Sequence, residues 1–324
     1  MTNAVEQAGH LFNIQDNSLG SIFAAIGTAF PETVLPLIAV FGAVITGSDL
    51  TLGKEVGKGA VLGSPFMLST IAFFVYGVSI IILNFLKKRN GIVNIKKDFL
   101  LRDLKFFLFA YTIGVLMSLA TNHTLKIFAG IFLLAFYFIY AFRTLKKEGH
   151  SDSSCEEECE ELKFITLFRL SPQQNRKTIL FTQLIFAVAG IVLSSHFFVE
   201  NIKEISMLLG VQAMIISLFI APVATELPET VNGIVWSIKG KDTLAAGNIS
   251  GAMVFQACIP MAIGVMFTDW TFGISELLNV VCVYSAILIL YLSAKYTKDF
   301  DSKYLLLSVL PYIFYIISVF IYIK

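Results

Sequence analysis

Two carboxylates stand where an apolar helix would be expected. The stretch ATELPETVNG, Ala224 to Gly233, carries Glu226 and Glu229 between GVQAMIISLFIAPV and IVWSI, and Pro222 and Pro228 flank the pair. At bilayer depth an acid costs a few kcal/mol or more, and each proline withholds a backbone donor. Groups this costly persist where they bind something. The stretch also has a twin. Gly27 to Val34 reads GTAFPETV and Ala224 to Val231 reads ATELPETV, so Thr, Pro, Glu, Thr and Val recur in register. VEQAGHLF from Val5 precedes the first copy as VENIKEIS from Val199 precedes the second, and GAVLGSPFML, Gly59 to Leu68, answers GNISGAMVFQ, Gly247 to Gln256.

The chemistry this allows is ion exchange. Glu32 and Glu229, joined by the hydroxyls of Thr28 and Thr225 and by carbonyls that the prolines free, would form an all-oxygen cage for a hard cation such as calcium. Left without a cation the two acids repel, and a bound proton relieves them. A divalent ion therefore competes with protons or sodium for one site, which is the physical requirement of an antiporter. The alternative is a pair of structural carboxylates kept neutral by protonation, and their recurrence in both copies argues against it. Glu226 has no twin, since Ala29 stands in its place. It adds an acid three residues before Glu229, on nearly the same helical face, as a ligand or proton carrier or as an acid facing an aqueous vestibule.

The elements that must position these groups are membrane helices. The 324 residues are 56% hydrophobic, include 30 phenylalanines and are only 15% charged, which excludes an ordinary soluble domain. Nine apolar runs are long enough to cross as helices, near 18–46, 59–86, 99–119, 121–142, 178–199, 206–238, 244–268, 272–294 and 304–323. The alternation of a membrane β-barrel is absent, so an all-α polytopic fold is predicted. Assigning the connections alternately gathers Lys87, Lys88, Arg89, Lys96, Lys97, Arg143, Lys146, Lys147, Arg176, Lys177, Lys239, Lys241, Lys295, Lys298 and Lys303 on one side, which the positive-inside rule makes cytoplasmic.

With this count the motif copies fall in the first and sixth spans and cross in opposite directions. Inverted repeats of this kind place a substrate site near the midplane, where broken helices from the two halves meet. The chain divides into an N-terminal transmembrane half (1–147), a cytoplasmic loop (148–177) and a C-terminal transmembrane half (178–324). Residues 1–17 have neither a basic start nor an apolar stretch, so no cleavable signal is expected and the first apolar run would serve as its own insertion signal.

Other features read as structural. Cys258 and Cys282 are small packing residues in apolar helices, and Cys155 and Cys159 in SDSSCEEECEE fall in a solvated acidic loop. The spacings Gly53–Gly57, Gly59–Gly63 and Gly247–Gly251 are expected to be close helix contacts, and Trp236 and Trp270 interface anchors. His10, His123, His150 and His196 share no metal-ligand spacing. No HExxH, GxSxG or GxGD motif is present, so neither an enzyme nor a cofactor is indicated. The partners implied are inorganic cations and the lipid bilayer, with no nucleic acid.

GTAFPE and ATELPE resemble the GTSLPE signature of the repeats in the cation/calcium exchanger superfamily, which includes the sodium/calcium exchangers. GNISGAMVFQ resembles the second part of that repeat, GN followed by GSN, an aromatic and an Asp or Asn. The resemblance covers essentially the whole chain. It implies ten helices in two inverted halves of five and exchange of calcium against sodium or protons at the plasma membrane. VEQAG is similar to the end of the family's first helix with only four residues before it, so that helix is expected either to be missing or to be supplied by a natural chain that begins upstream.

Carried across, Glu32 and Glu229 match the family's paired glutamates, Thr28 and Thr225 its flanking threonines, Ser64 the GSN serine of the first copy and Asn248 a packing asparagine. The departures are specific. Ala29 and Glu226 replace serines, Ala252 replaces the second GSN serine, and Leu68 and Gln256 occupy positions usually held by Asn or Asp ligands. Gln256 keeps an oxygen without the charge, and Glu226 supplies a charge elsewhere. The spacing from Glu32 to Ser64 exceeds that from Glu229 to Ala252, which implies an insertion around TGSDLTLGKEVGK in the first half. The other alignment would put Lys58 at the serine position.

Overall fold

In hydrocarbon a backbone must satisfy its own hydrogen bonds, and the apolar runs do so as helices. The computed structural model describes residues 30–42, 49–89, 91–148, 176–297 and 300–322, and among them no strand occurs beyond one isolated bridge, Ile92 to Asp301. The helices are α1 (Phe30–Leu37), α2 (Leu50–Met67), α3 (Phe73–Phe85), α4 (Lys97–Leu116), α5 (His123–Glu148), α6 (Arg176–Leu209), α7 (Ala213–Thr225), α8 (Leu227–Ile238), α9 (Asp242–Phe267), α10 (Ile274–Tyr296), α11 (Ser302–Leu306) and α12 (Val309–Tyr322). A π-turn, Leu68–Ala72, joins α2 to α3 into one apolar stretch of 36 residues.

Among the described residues six helices or joined helices are long and apolar enough to cross a membrane, and the bent pair α7–α8 makes a seventh. The predicted span 206–238 is thus two pieces, bent by 45° at Glu226. It also starts later than expected, because Gly210 takes a left-handed φ of 62° and separates α6 from α7. Of the first predicted span only 30–42 is described, and Cys155 and Cys159 lie outside the described residues.

The centre of the bundle is α9, which packs against α1, α2, α4, α5 and α8, while α2 crosses α7. Small residues set that crossing. A Cβ on Gly59 would lie 2.3 Å from the Met214 carbonyl oxygen, and one on Gly63 2.3 Å from that of Leu218, so only glycine lets the backbones approach. Pro222 has no N–H to give the Leu218 carbonyl, four residues back, and the bare Gly63 backbone covers it. The Ser217 hydroxyl fixes the register by donating to the Val56 carbonyl at 2.7 Å. The similar pair Gly247 and Gly251 does not behave this way. A Cβ on Gly247 would meet nothing within 4 Å, and one on Gly251 only the Tyr140 hydroxyl at 3.7 Å, so of these two pairs only the one on α2 makes a close helix contact.

At the end of the bundle where α2 begins, lysines hold the turn between α9 and α10. Lys54 bonds the Asp269 carboxylate at 2.8 Å, Lys126 the Asp269 carbonyl at 2.6 Å, and Lys58 pairs with Glu276 at 2.6 Å while donating to the Thr271 carbonyl. Trp270 is no interface anchor. It is fully buried, its indole N–H donates to the Gly114 carbonyl at 2.8 Å, and its ring packs over Gly264. Cys258 and Cys282 are free and buried, as expected for packing residues.

Candidate cation site

Proline places the acids. Pro228 occupies the first turn of α8, where a missing N–H costs nothing, and Glu229 follows in the same turn. In the first copy, Pro31 and Glu32 lie likewise in the first turn of α1. Glu229 therefore sits at a helix N-terminus, whose exposed N–H groups favour anions. Pro222 and Pro228 together interrupt the ladder at Glu226, whose N–H still reaches the Pro222 carbonyl at 2.8 Å while its own carbonyl accepts from Thr230 at 3.1 Å. Glu226 is consequently the hinge between α7 and α8, with φ −90° and ψ 1°, and not a residue inside one continuous helix.

The break turns three carboxylates toward one point. Glu32, Glu226 and Glu229 each offer an oxygen lying within 4.8 Å of the other two, and the three side chains are 3%, 0% and 1% exposed. Among the described residues the charged groups acting on Glu32 are the other two acids. No basic side chain among the described residues acts on Glu32 or Glu226.

The neighbouring polar groups are distributed unevenly. Gln256, fully buried on α9, donates its amide N–H to Glu226 Oε2 at 2.8 Å. The Thr225 hydroxyl reaches Glu226 Oε1 at 3.2 Å, and Ser64 lies beside the same carboxylate. Neither oxygen of Glu32 has a hydrogen-bond partner among the described residues, and the Gln256 carbonyl oxygen has none either. Leaving such atoms buried and unpaired costs several kcal/mol each in an apolar medium, so the cluster is built to receive a cation or protons. Asn248 lies behind it, donating to the Glu229 carbonyl at 3.2 Å, which is a packing contact.

Of the residues expected at the site, Glu32, Glu226, Glu229, Thr225, Ser64 and Gln256 are thus gathered, and Thr28 lies outside the described residues. Ser64, not Lys58, faces the acids, in keeping with an insertion before it. Leu68 is fully buried in the π-turn and offers no ligand. Sequence reasoning missed a second group of buried polar atoms. Asn279, Tyr111 and Tyr315 bury side-chain polar atoms that have no partner among the described residues, and the one available signal was an asparagine inside the apolar run LLNVVCV.

The family pattern described as "Sodium/calcium exchanger protein" matches residues 1–146 and 179–324. An uncharacterized membrane protein of Methanocaldococcus jannaschii is 24% identical over 300 residues, 90% of this chain and 83% of that one. The inner membrane protein YrbG of Escherichia coli is 22% identical over 263 residues, 79% of this chain and 71% of that one. Among solved structures the fold is that of the H+/Ca2+ exchanger CAX, with a TM-score of 0.72, 16% identity and coverage of 98% of this chain and 77% of that one. It is also that of the sodium-calcium exchanger NCX_Mj, with a TM-score of 0.58, 19% identity and coverage of 98% and 92%. The fold is an all-α membrane bundle of two inverted repeats, and the chain belongs to the sodium/calcium exchanger protein family.

Proposed function

We propose that this chain is a secondary antiporter that carries calcium, or a similar divalent cation, across the plasma membrane in exchange for sodium or protons. The observation that carries the reading is the meeting of Glu32 from the N-terminal half with Glu229 from the C-terminal half, both buried and with oxygens within 4.8 Å. Acids so placed are neutral in sum only with a bound cation or protons, so occupancy by either ion satisfies the site. An empty site, with its charges uncompensated, resists the crossing, and that coupling makes transport an exchange. The halves 1–147 and 178–324, joined by a cytoplasmic loop, each supply one motif copy.

Both coupling ions occur among proteins of this fold, since the structures named above are an H+/Ca2+ exchanger and a sodium-calcium exchanger. Radiocalcium uptake into proteoliposomes under an imposed sodium gradient, and then under a proton gradient, tests the reading and separates the two ions. Uptake driven by at least one gradient, and lost in Glu229→Gln, is the expected result. Undiminished gradient-driven uptake by that variant would reject it.

A further inference from the structure

Donors converge on one acid of the three. Glu226 accepts from the Gln256 amide on one oxygen and from Thr225 on the other, with Ser64 beside the same carboxylate. Both donors are neutral. They hold the carboxylate in place without cancelling a charge on it, so a cation that displaces its proton meets an oriented anionic ligand. Gln256 in turn has two ends. Its amide nitrogen holds Glu226, and its carbonyl oxygen is buried without a partner among the described residues. Turning the amide over would set that oxygen against the carboxylate and lose the one hydrogen bond the group makes, so the orientation follows from the bonding.

We propose that Glu226 is an anionic ligand of the transported cation and that Gln256 is the residue that positions it, with the glutamine carbonyl as a further, uncharged ligand. This rests on the antiport reading and deepens it. The site then holds three carboxylates contributed by α1, the α7–α8 hinge and α8. The attraction between such a cluster and an ion grows with the ion's charge, while a monovalent ion leaves more of the mutual repulsion in place. Glu226 is therefore a specificity residue that raises preference for divalent over monovalent cations, and it reaches the site because the hinge at Pro222 and Pro228 aims it there.

The test uses the full chain purified in detergent, titrated with calcium at fixed sodium and followed by calorimetry, with the ion-free melting midpoint as a control for folding. Glu226→Gln removes the charge and keeps the shape. It is expected to weaken calcium binding about 10- to 100-fold, to weaken sodium binding less, and so to narrow the preference between them. Gln256→Leu is expected to weaken calcium about tenfold by releasing Glu226. The exchange variant Glu226→Gln/Gln256→Glu returns one acid and one amide to the same pair and is expected to recover most of the affinity, which a merely structural role for either residue would not produce. Should Glu226→Gln fail to fold, Glu226→Asp keeps the charge but withdraws it by one methylene, and a loss of affinity there supports the same assignment.

Glu226→Gln that binds calcium as tightly as the parent, with the same preference over sodium, overturns the proposal alone and leaves the antiport reading standing. So does a folded exchange variant no better than Glu226→Gln. A parent protein that responds to neither calcium nor sodium overturns both.

Discussion

Arg89 grips Asp242 with both terminal nitrogens, Nη1 to Oδ1 at 2.8 Å and Nη2 to Oδ2 at 2.6 Å. The pair joins the turn after α3, in the N-terminal half, to the first residue of α9, in the C-terminal half. The Asn94 N–H adds a third bond to the same carboxylate at 2.8 Å, and Arg89 donates onward to the carbonyls of Ser237 and Ile92. Hydrogen bonding to the Asp242 carboxylate, outweighing partial burial, raises the guanidinium above its ordinary basicity.

Because Asp242 is only 1% exposed, breaking the pair leaves a buried charge without its partner. Arg89→Met should destabilise the protein by about 3–5 kcal/mol, whereas Arg89→Met/Asp242→Leu should regain part of that loss, because no buried charge is left unpaired while the Asn94 N–H loses its acceptor. Arg89→Lys should not restore the parent, since a single ammonium cannot occupy both oxygens of the fork. Thermal melting of the purified variants decides this, and a double variant no more stable than Arg89→Met would contradict it.

Two glycines drawn from the matching pairs Gly59–Gly63 and Gly247–Gly251 should respond in opposite ways to alanine. At Gly63 an added methyl meets the Leu218 carbonyl oxygen at 2.3 Å and the Pro222 ring at 2.7 Å, so α2 and α7 must separate. A loss of about 1–3 kcal/mol is expected, as for other overpacked sites. At Gly247 the methyl enters open space inside a helix, and Gly247→Ala should gain up to about 1 kcal/mol from the stiffer unfolded chain and better helix propensity. Equal effects at the two positions, read as shifts in melting midpoint, would contradict the packing described for α2.

The sequence made the duplicated motif legible because proline and glutamate inside apolar helices are rare, and a pair of copies in register is rarer. Recurrence named Glu32 and Glu229 without any structure. The same text could not show that Glu226 is a hinge. That depends on two prolines acting on one ladder, and helical periodicity alone placed the residue on the face of an unbroken helix. Trp270 shows the same limit from the other side. An aromatic residue at a span end reads as an interface anchor, but its indole turns inward because Gly264 leaves room for the ring and the Gly114 carbonyl accepts its N–H. Spacings such as Gly247–Gly251 look identical to Gly59–Gly63 in a string of letters, and only the neighbouring helix distinguishes them.

Asn279 on α10 is fully buried, and neither its amide nitrogen nor its oxygen has a hydrogen-bond partner among the described residues. The hydroxyls of Tyr111 and Tyr315 are buried in the same condition. An unsatisfied buried amide costs roughly 1–3 kcal/mol relative to a well-packed apolar group of similar volume. Asn279→Leu should therefore raise the melting midpoint by a corresponding amount and leave calcium uptake intact, because the residue is not among the acids' partners. A lower midpoint would mean that water satisfies the amide, as it does in polar cavities of sufficient size.

The acids of the proposed site should stabilise and destabilise the protein by turns, depending on the ion supplied. Calcium that binds only the folded chain adds stability as its concentration rises, about 2.7 kcal/mol at one hundred times the dissociation constant, and a chelator should reverse the gain. Glu32→Gln and Glu229→Gln each remove one of three buried acids that repel one another and that a proton or a cation relieves. In the absence of calcium both variants should melt at or above the parent's midpoint, which is the usual signature of residues kept for function at the expense of stability. In saturating calcium the order should invert, since the variants lack a charged ligand and gain little. Melting curves with calcium and with chelator, run side by side on all three proteins, test both halves of the claim. If Glu32→Gln were stabilised by calcium as strongly as the parent, the unpartnered carboxylate of α1 would have no part in holding the ion.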